Sequence, residues 1–378
     1  MAIEVSAPGR ICLFGEHQDF LGLSVIATPV TLDIKVKGTP RNDSVFAIRK
    51  PDLTGREPDY DEFDGTQELT YRHKRDYIRS ATNVLRRAGL SMTQGYDCEI
   101  RGTIPMNAGT SSSSALTIAW ASFLLATQEG DVSREPGDIA MFGYQAEVKE
   151  FEEPGGMMDH YSSAVGGLLY IDCQEPVTYT HLGAKLEGFV IGDTLVPKNT
   201  TGVLRESRAA TSAGLATLRE CINGFCLKST PVQEACGFFS SMDKDVRRRI
   251  EANFVNRDLC QEARSMLSNG HLNPRRLGEM LYEHHVQLRD GIGVSHPKLD
   301  RLIDAAMDAG ALGGKLNGSG CGGAMFAYAP GKQEEVAEAI ERAGGRAYIV
   351  NLRGGVSARS DDVDLATEVA VQETADLN

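Results

Sequence analysis

The chain has 378 residues, 41% of them hydrophobic and 24% charged, which excludes a disordered tail and a mini-protein that needs disulfide staples. At about 150 residues per domain it has material for two or three domains, and so for a cleft between them. With 39 Lys and Arg against 52 Asp and Glu the formal charge is −13, which disfavours nucleic acid but leaves room for a small anion held by oriented N–H groups, a metal ion or one arginine.

Residues 3–17 and 24–38 alternate in the manner of strands around the polar loop EHQDFLG. From Asn42 to Glu68 the chain is rich in Asp, Glu, Pro and Gly and reads as an exposed excursion with short strands. Residues 76–89 place Tyr77, Ile78, Ala81, Val84, Leu85 and Ala88 on one helical stripe that ends at Gly89. YDCEIRGTIP reads as a strand, and GTSSSSALTIAWASFLLAT passes from a Gly/Ser loop into an apolar helix. MFGYQAEVKEF is a helix stopped near Pro154, and GGLLYIDC and LEGFVIGDT are strands. A composition change over 185–200 sets the boundary between an N-terminal domain, 1–190, and a C-terminal domain, 191–360. Residues 203–293 read as mostly helical. A helix at 297–310, a glycine loop at 313–323, the strand AMFAYAP, the helix KQEEVAEAIERAG and the strand AYIVNL follow, before an acidic tail, 361–378, that is expected to fray.

The eight cysteines, at positions 12, 98, 173, 221, 226, 236, 260 and 321, form no CxxC pair, which argues against zinc ribbons and thioredoxin-like redox sites. Reduced core thiols of a cytoplasmic protein are the expectation. The opening MAIEVSAPGR has no basic stretch leading into an apolar one, and no run of about 18 apolar residues occurs, so neither a signal peptide nor a membrane span is expected.

Four segments can carry chemistry. Gly109-Thr-Ser-Ser-Ser-Ser114 joins a glycine to a hydroxyl-rich helix start, where N–H groups and the helix dipole favour an anion; it is a phosphate cradle without a Walker A pattern, or else a serine-rich cap. Asn317-Gly-Ser-Gly-Cys-Gly-Gly323 contains GxGxxG, but a strand-like run follows it, which disfavours dinucleotide binding, and no HRD or DFG accompanies it. Tight turn and functional loop both remain open for it. Gly9–Asp19 gathers Arg10, Glu16, His17 and Asp19, groups that suit a polyhydroxylated ligand. Asp159 follows the Gly155-Gly156 turn, as either a turn residue or a functional acid. GxSxG and HExxH are absent, and His284 and His285, on a charged helix, are expected at the surface or an interface.

Together these segments resemble the GHMP kinase superfamily, the small-molecule kinases named for galactokinase, homoserine kinase, mevalonate kinase and phosphomevalonate kinase. GRICLFGEHQDFLG is similar to GRxNLIGEHTDYNGG, IPMNAGTSSSSA to PxGxGLSSSAS, KLNGSGCGG to MTGxGFGG, and QAEVKEFEEPGGMMDH to QxAEHxFxGxPxGIMDQ. The stretch GEMLYEHHVQLRDGIGVSHPKLDRLI resembles SHxSLRDxYxVSxPELD, so the likeness runs from about residue 4 to residue 355. The resemblance implies a two-domain α+β fold, an N-terminal ribosomal protein S5 domain 2-like part and a C-terminal ferredoxin-like part, with the active site in the interdomain cleft. It implies ATP and Mg²⁺, with Asp159 as the catalytic acid–base group and Arg10 as its partner. Glu147 with Ser111 or Ser112 would hold the metal, and Gly109, Ser111, Ser112, Ser113, Gly318 and Gly320 would line the nucleotide. Glu16, His17, Asp19 and Gly156 match the sugar contacts, so the expected partners are ATP and a small sugar, in a monomer or homodimer that binds neither nucleic acid nor membrane. Departures concern the acceptor: Gln18, Phe20, Leu21 and Leu23 replace the family pattern, and TGVLRESRAAT lacks the sugar-contacting tyrosine. The expectation is a galactokinase-like kinase acting on the anomeric hydroxyl of a hexose, pentose or uronic acid. Mevalonate-type phosphorylation and a non-catalytic sugar/ATP sensor are the alternatives.

Overall fold

The alternation over residues 3–38 becomes two long antiparallel strands, β1 (Ile3–Phe14) and β2 (Val25–Pro40). The computed structural model describes residues 2–52, 59–105, 109–153, 155–197, 201–268 and 272–360; Pro154, residues 106–108 and the tail 361–378 lie outside these. The first half continues through β3 (Val45–Arg49), β4 (Tyr60–Asp64), α1 (Tyr77–Arg87), β5 (Tyr96–Gly102), α2 (Ser112–Thr127), α3 (Pro136–Tyr144), α4 (Met158–Val165), β6 (Leu169–Asp172) and β7 (Thr178–His181). The second half runs β8 (Phe189–Asp193), α5 (Thr201–Cys221), α6 (Val232–Ala235), α7 (Lys244–Ser268), α8 (Pro274–Val286), α9 (Pro297–Asp308), β9 (Gly313–Asn317), β10 (Ala324–Tyr328), α10 (Gln333–Arg342), β11 (Arg346–Val350) and β12 (Ser357–Ser360).

One sheet has the order β12-β1-β2-β5-β3-β4, with β6 pairing β2 and β7 pairing β6; the other has the order β11-β8-β10-β9 and is antiparallel throughout. Numbered from its own first strand, the second sheet is 4-1-3-2, the βαββαβ arrangement expected of the C-terminal part. The mixed α+β fold is as anticipated, but its division differs. A cut at residue 190 would split β8, so sheet membership divides the chain before Phe189, and β12 returns to pair with β1.

β1 is the shared wall. Val5, Ala7 and Cys12 pack with Phe46, Trp120 and Phe123 of the first core, whereas Ile11, Leu13 and Phe14 pack with Phe189, Leu281 and Phe326 of the second. Each of these last six is fully buried, worth about 1.5–3 kcal/mol apiece relative to exposure. The two halves are therefore fused along the strand that carries Arg10.

Four expectations change. Within the polar stretch 42–68, β3 enters the sheet beside β5 and buries Phe46 and Ile48, because two short alternating runs hide inside a polar average. Of the expected glycine loop 313–323, Gly313–Asn317 is a buried strand. His284 and His285 are buried, since they fall on the same stripe of α8 as Leu277, Met280 and Leu281; His284 stacks on Phe14 at 5.9 Å and His285 Nε2 lies 3.2 Å from Asp300. All eight cysteines are free, but only Cys12, Cys98, Cys173 and Cys260 are buried, while Cys221, Cys226 and Cys236 are exposed. Among the described residues, no helix is long and apolar enough to cross a membrane.

Candidate active site

Arg10 sits in the doubly buried half of β1, only 3% exposed. Its Nε donates to Asp159 Oδ1 at 2.8 Å and its Nη1 to the Gly109 carbonyl at 2.7 Å, so one guanidinium ties the acid to the glycine–serine turn. Asp159 is the second residue of α4, where the helix dipole favours negative charge. Burial by itself would raise its pKa, but Arg10 first, then His160 and the nearby Ser111 hydroxyl, hold the carboxyl below its usual range and keep it ionised at neutral pH. Burial likewise works against the charge on Arg10, and Asp159 and Glu16 outweigh it.

Beside this pair, Glu16 is 2% exposed and its Oε2 accepts from Lys315 Nζ of β9 at 2.9 Å; Lys315 is fully buried and also donates to the Cys12 carbonyl at 2.7 Å. Burial lowers the pKa of His17 to about 4, so its imidazole is neutral. Burial raises that of Asp19 to about 6, with the Asp159 charge adding to the effect. Gly156 lies directly against the Asp19 carboxylate, where a Cβ would come within 1.7 Å of Oδ2. The substituted Gln18 is fully buried and donates to the Asn253 carbonyl at 2.8 Å, which fastens the loop to α7. His17 and Ser111 are non-glycine residues with φ of 63° and 62°, local strain of the kind that clusters at functional sites.

Arg10, Glu16, His17, Asp19, Gly156 and Asp159 line a pocket of about 160 Å³ that also takes in Phe20, Ser114, Glu147, His160, Leu204, Arg208 and Gly318. A second pocket, of about 540 Å³, has apolar walls from Ile34, Ile100, Ile104 and Leu116, the buried Lys50, a rim with Lys74, Arg75 and Arg101, carboxylates from Asp52, Asp61 and Asp76, and hydroxyls from Ser112 and Ser113. The first turn of α2 thus stands between the two, with Ser114 on one side and Ser112 and Ser113 on the other. Gly318 joins the turn directly: its own φ is 74°, and a Cβ there would lie 2.6 Å from the Gly109 carbonyl. Gly320 packs on the Val294 carbonyl instead, outside the lining of both pockets.

Glu147 lies in a π turn, Gln145–Lys149, that follows α3, and its Oε2 is 2.8 Å from His160 Nε2. Among the described residues no cluster of three His, Cys, Asp or Glu could hold a metal by itself. The buried Ser111 Oγ has no well-formed hydrogen bond of its own, and hydroxyl and carboxylate oxygens such as those of Ser111 and Glu147 are the kind a hard Mg²⁺ takes alongside phosphate and water.

Sequence reasoning missed Ser114, Phe20, Arg208, Lys315, Asn317 and the larger pocket apart from Ser112 and Ser113. Arg208, whose Cζ lies 3.9 Å over the Phe20 ring, stands in the very segment noted for its missing tyrosine. That absence was the available signal.

Three family models match the chain: the galactokinase galactose-binding signature over residues 2–40, the GHMP kinases N terminal domain over 76–167 and the GHMP kinases C terminal over 267–347. Galactokinase of Mannheimia succiniciproducens is 28% identical over 353 residues, 89% of this chain and 88% of that protein. Mevalonate kinase of Pyrococcus furiosus is 30% identical over 357 residues, 93% of this chain and 96% of that protein. Among solved structures, Lactococcus lactis galactokinase complexed with galactose superimposes with a TM-score of 0.80 at 21% identity, covering 94% of both chains. Methanococcus jannaschii mevalonate kinase gives 0.69 at 18% identity, covering 94% of this chain and 98% of that one.

Proposed function

Because this chain belongs to the GHMP kinase family, we propose that it transfers the terminal phosphoryl group of ATP to the anomeric hydroxyl of a monosaccharide, as galactokinases do. The observation that carries the reading is the Arg10–Asp159 pair, 2.8 Å apart and tied by Arg10 to the turn at Gly109 that opens α2. The larger pocket takes the nucleoside between its isoleucines and Leu116, with the phosphates at the N–H groups of the α2 start. The smaller pocket takes the acceptor, whose hydroxyls meet Glu16, neutral His17 and Asp19.

The ionised Asp159 removes the acceptor hydroxyl proton as that oxygen bonds to the γ-phosphorus, and the bond from phosphorus to the ADP oxygen breaks. Arg10 keeps the carboxylate charged and stabilises the phosphoryl oxygens as charge spreads over them. Mg²⁺, held by Glu147 and a serine hydroxyl, would neutralise phosphate charge.

A mevalonate-type acceptor is the second reading, favoured by the 30% identity to an archaeal mevalonate kinase and by Arg208, a cation that a hydroxy acid would meet in the smaller pocket. The galactose-binding signature over residues 2–40 favours the sugar. ADP release measured with purified protein, Mg²⁺, ATP and a panel of hexoses, pentoses, uronic acids and mevalonate separates them. Turnover with a sugar is expected. Turnover with mevalonate alone would replace the acceptor, and ATP binding without turnover on any acceptor would indicate a sensor.

A further inference from the structure

The outer edge of β1 is covered by β12 only from Ile3 to Ser6. Farther along, where the β1–β2 register shifts between Pro8 and Arg10 and again between Cys12 and Phe14, the backbone groups of Arg10 and Cys12 find partners that are not a strand. The Arg10 N–H donates to the Thr110 carbonyl at 3.3 Å, and the Cys12 carbonyl accepts from Lys315. The two remaining groups go to one side chain. Asn317, fully buried at the end of β9, accepts from the Cys12 N–H through Oδ1 at 2.9 Å and donates through Nδ2 to the Arg10 carbonyl at 3.2 Å. The same Nδ2 donates to the Gly109 carbonyl at 3.0 Å, the oxygen that Arg10 Nη1 also reaches.

We propose that Asn317 is a positioning residue for phosphoryl transfer. One carboxamide from the second sheet clamps the Arg10 peptide and the Gly109 turn, and so fixes the Arg10–Asp159 pair relative to the phosphate end of α2. The inference rests on the reading that Arg10 and Asp159 act in the transfer. Its physical content is specific: Nδ2 serves two carbonyls at once, and if it is replaced the buried Arg10 carbonyl loses this donor while the Gly109 carbonyl is left with Arg10 Nη1. Aspartate would set an oxygen against those two oxygens. Threonine, with one hydroxyl on a shorter stem, can serve only one of them.

The test compares Asn317→Thr and Asn317→Asp with the unaltered protein, and repeats the threonine substitution in an Arg10→Lys background. The readouts are kcat, both KM values and the thermal midpoint. Asn317→Thr is expected to lower kcat roughly 10-fold and Asn317→Asp roughly 100-fold, with the acceptor KM within about 3-fold, since small misplacements at a reacting centre cost this much. In the Arg10→Lys protein the threonine substitution should cost no more than about 2-fold, because residues that act through one another are not additive. Should Asn317→Asp fail to fold, the two threonine measurements decide. Unchanged kcat in folded Asn317→Thr, or equal losses in both backgrounds, overturns the positioning role. If instead Arg10→Lys and Asp159→Asn themselves turn over normally, the reading of the site falls, and the two failures are told apart.

Discussion

The two pockets on either side of α2 are built on different principles. In the smaller one the polar and charged groups are already matched to each other: Arg10 with Asp159, Lys315 with Glu16, and Glu147 with His160, each within 2.9 Å. In the larger one the walls are aliphatic, and the cations at its rim turn to carboxylates nearby, Arg75 and Lys74 to Glu153 and Arg101 to Glu99. A site that must hold reacting atoms in fixed geometry gains from dipoles and charges that need no rearrangement at the moment of reaction, whereas a site that only retains a nucleotide can rely on area and exposed charge. The contrast has a kinetic form. Damage to the smaller pocket should appear in stability and kcat, and damage to the larger one in the KM for ATP.

The largest expected effect is structural. Lys315→Met removes the partner of a carboxylate that is 2% exposed, and stranding one member of a buried pair costs about 3–5 kcal/mol. Denaturant unfolding reads this directly; an unchanged midpoint would mean that Glu16 is not held by Lys315. Next comes Asp159→Asn, which keeps an acceptor for Arg10 Nε but cannot take a proton. It should lower kcat by on the order of 10²-fold with the fold retained. A folded variant that turns over at the original rate removes Asp159 from the mechanism.

The same contrast explains what the sequence could show. Residues of the smaller pocket arrive in short contiguous runs, Glu16 to Asp19 and Gly156 to His160, so charged groups clustered around glycines announce it. The larger pocket takes Ile34 from β2, Ile100 from β5, Ile104 from the loop after it and Leu116 from α2, residues that in a linear reading are ordinary core. Lys315 was hidden for a related reason. It stands in a run that reads as a glycine loop, and only the pairing of β9 with β10 turns it inward toward Glu16. The order of the second sheet was legible as a family resemblance, while its fusion to the first half through Ile11, Leu13 and Phe14 depends on both faces of β1 being covered, which alternation within one strand cannot reveal.

A smaller effect sharpens the kinetic half of the comparison. Leu116→Trp places a large ring into the aliphatic wall of the larger pocket and should raise the KM for ATP roughly 10-fold while leaving kcat within about 2-fold, the pattern of lost ground-state binding. Saturation curves for ATP at fixed acceptor measure it. A fall in kcat with no change in KM would place that wall in the chemistry and erase the distinction between the pockets.

The smallest effect concerns protons. Burial lifts Asp19 to about 6, helped by the charge of Asp159 and opposed by the Phe20 N–H and by Arg208, while burial takes His17 down to about 4. Between pH 5 and 7, therefore, Asp19 changes charge and His17 does not. If the carboxylate form receives the acceptor hydroxyls, kcat/KM for the acceptor falls as pH drops through about 6, by up to about tenfold per unit below it, and the limb flattens in Asp19→Asn. Stability moves in the opposite sense. The folded protein keeps this proton up to about pH 6, and the unfolded carboxyl releases it near its ordinary value of 3.8, so folding binds a proton in that window and stability declines as pH rises through it. Asp19→Asn should accordingly raise the thermal midpoint at pH 7.5 by more than at pH 4, even as it weakens acceptor use. An acid limb that persists in Asp19→Asn assigns the proton to another group, and an equal shift in midpoint at both pH values removes the link between burial of Asp19 and its charge.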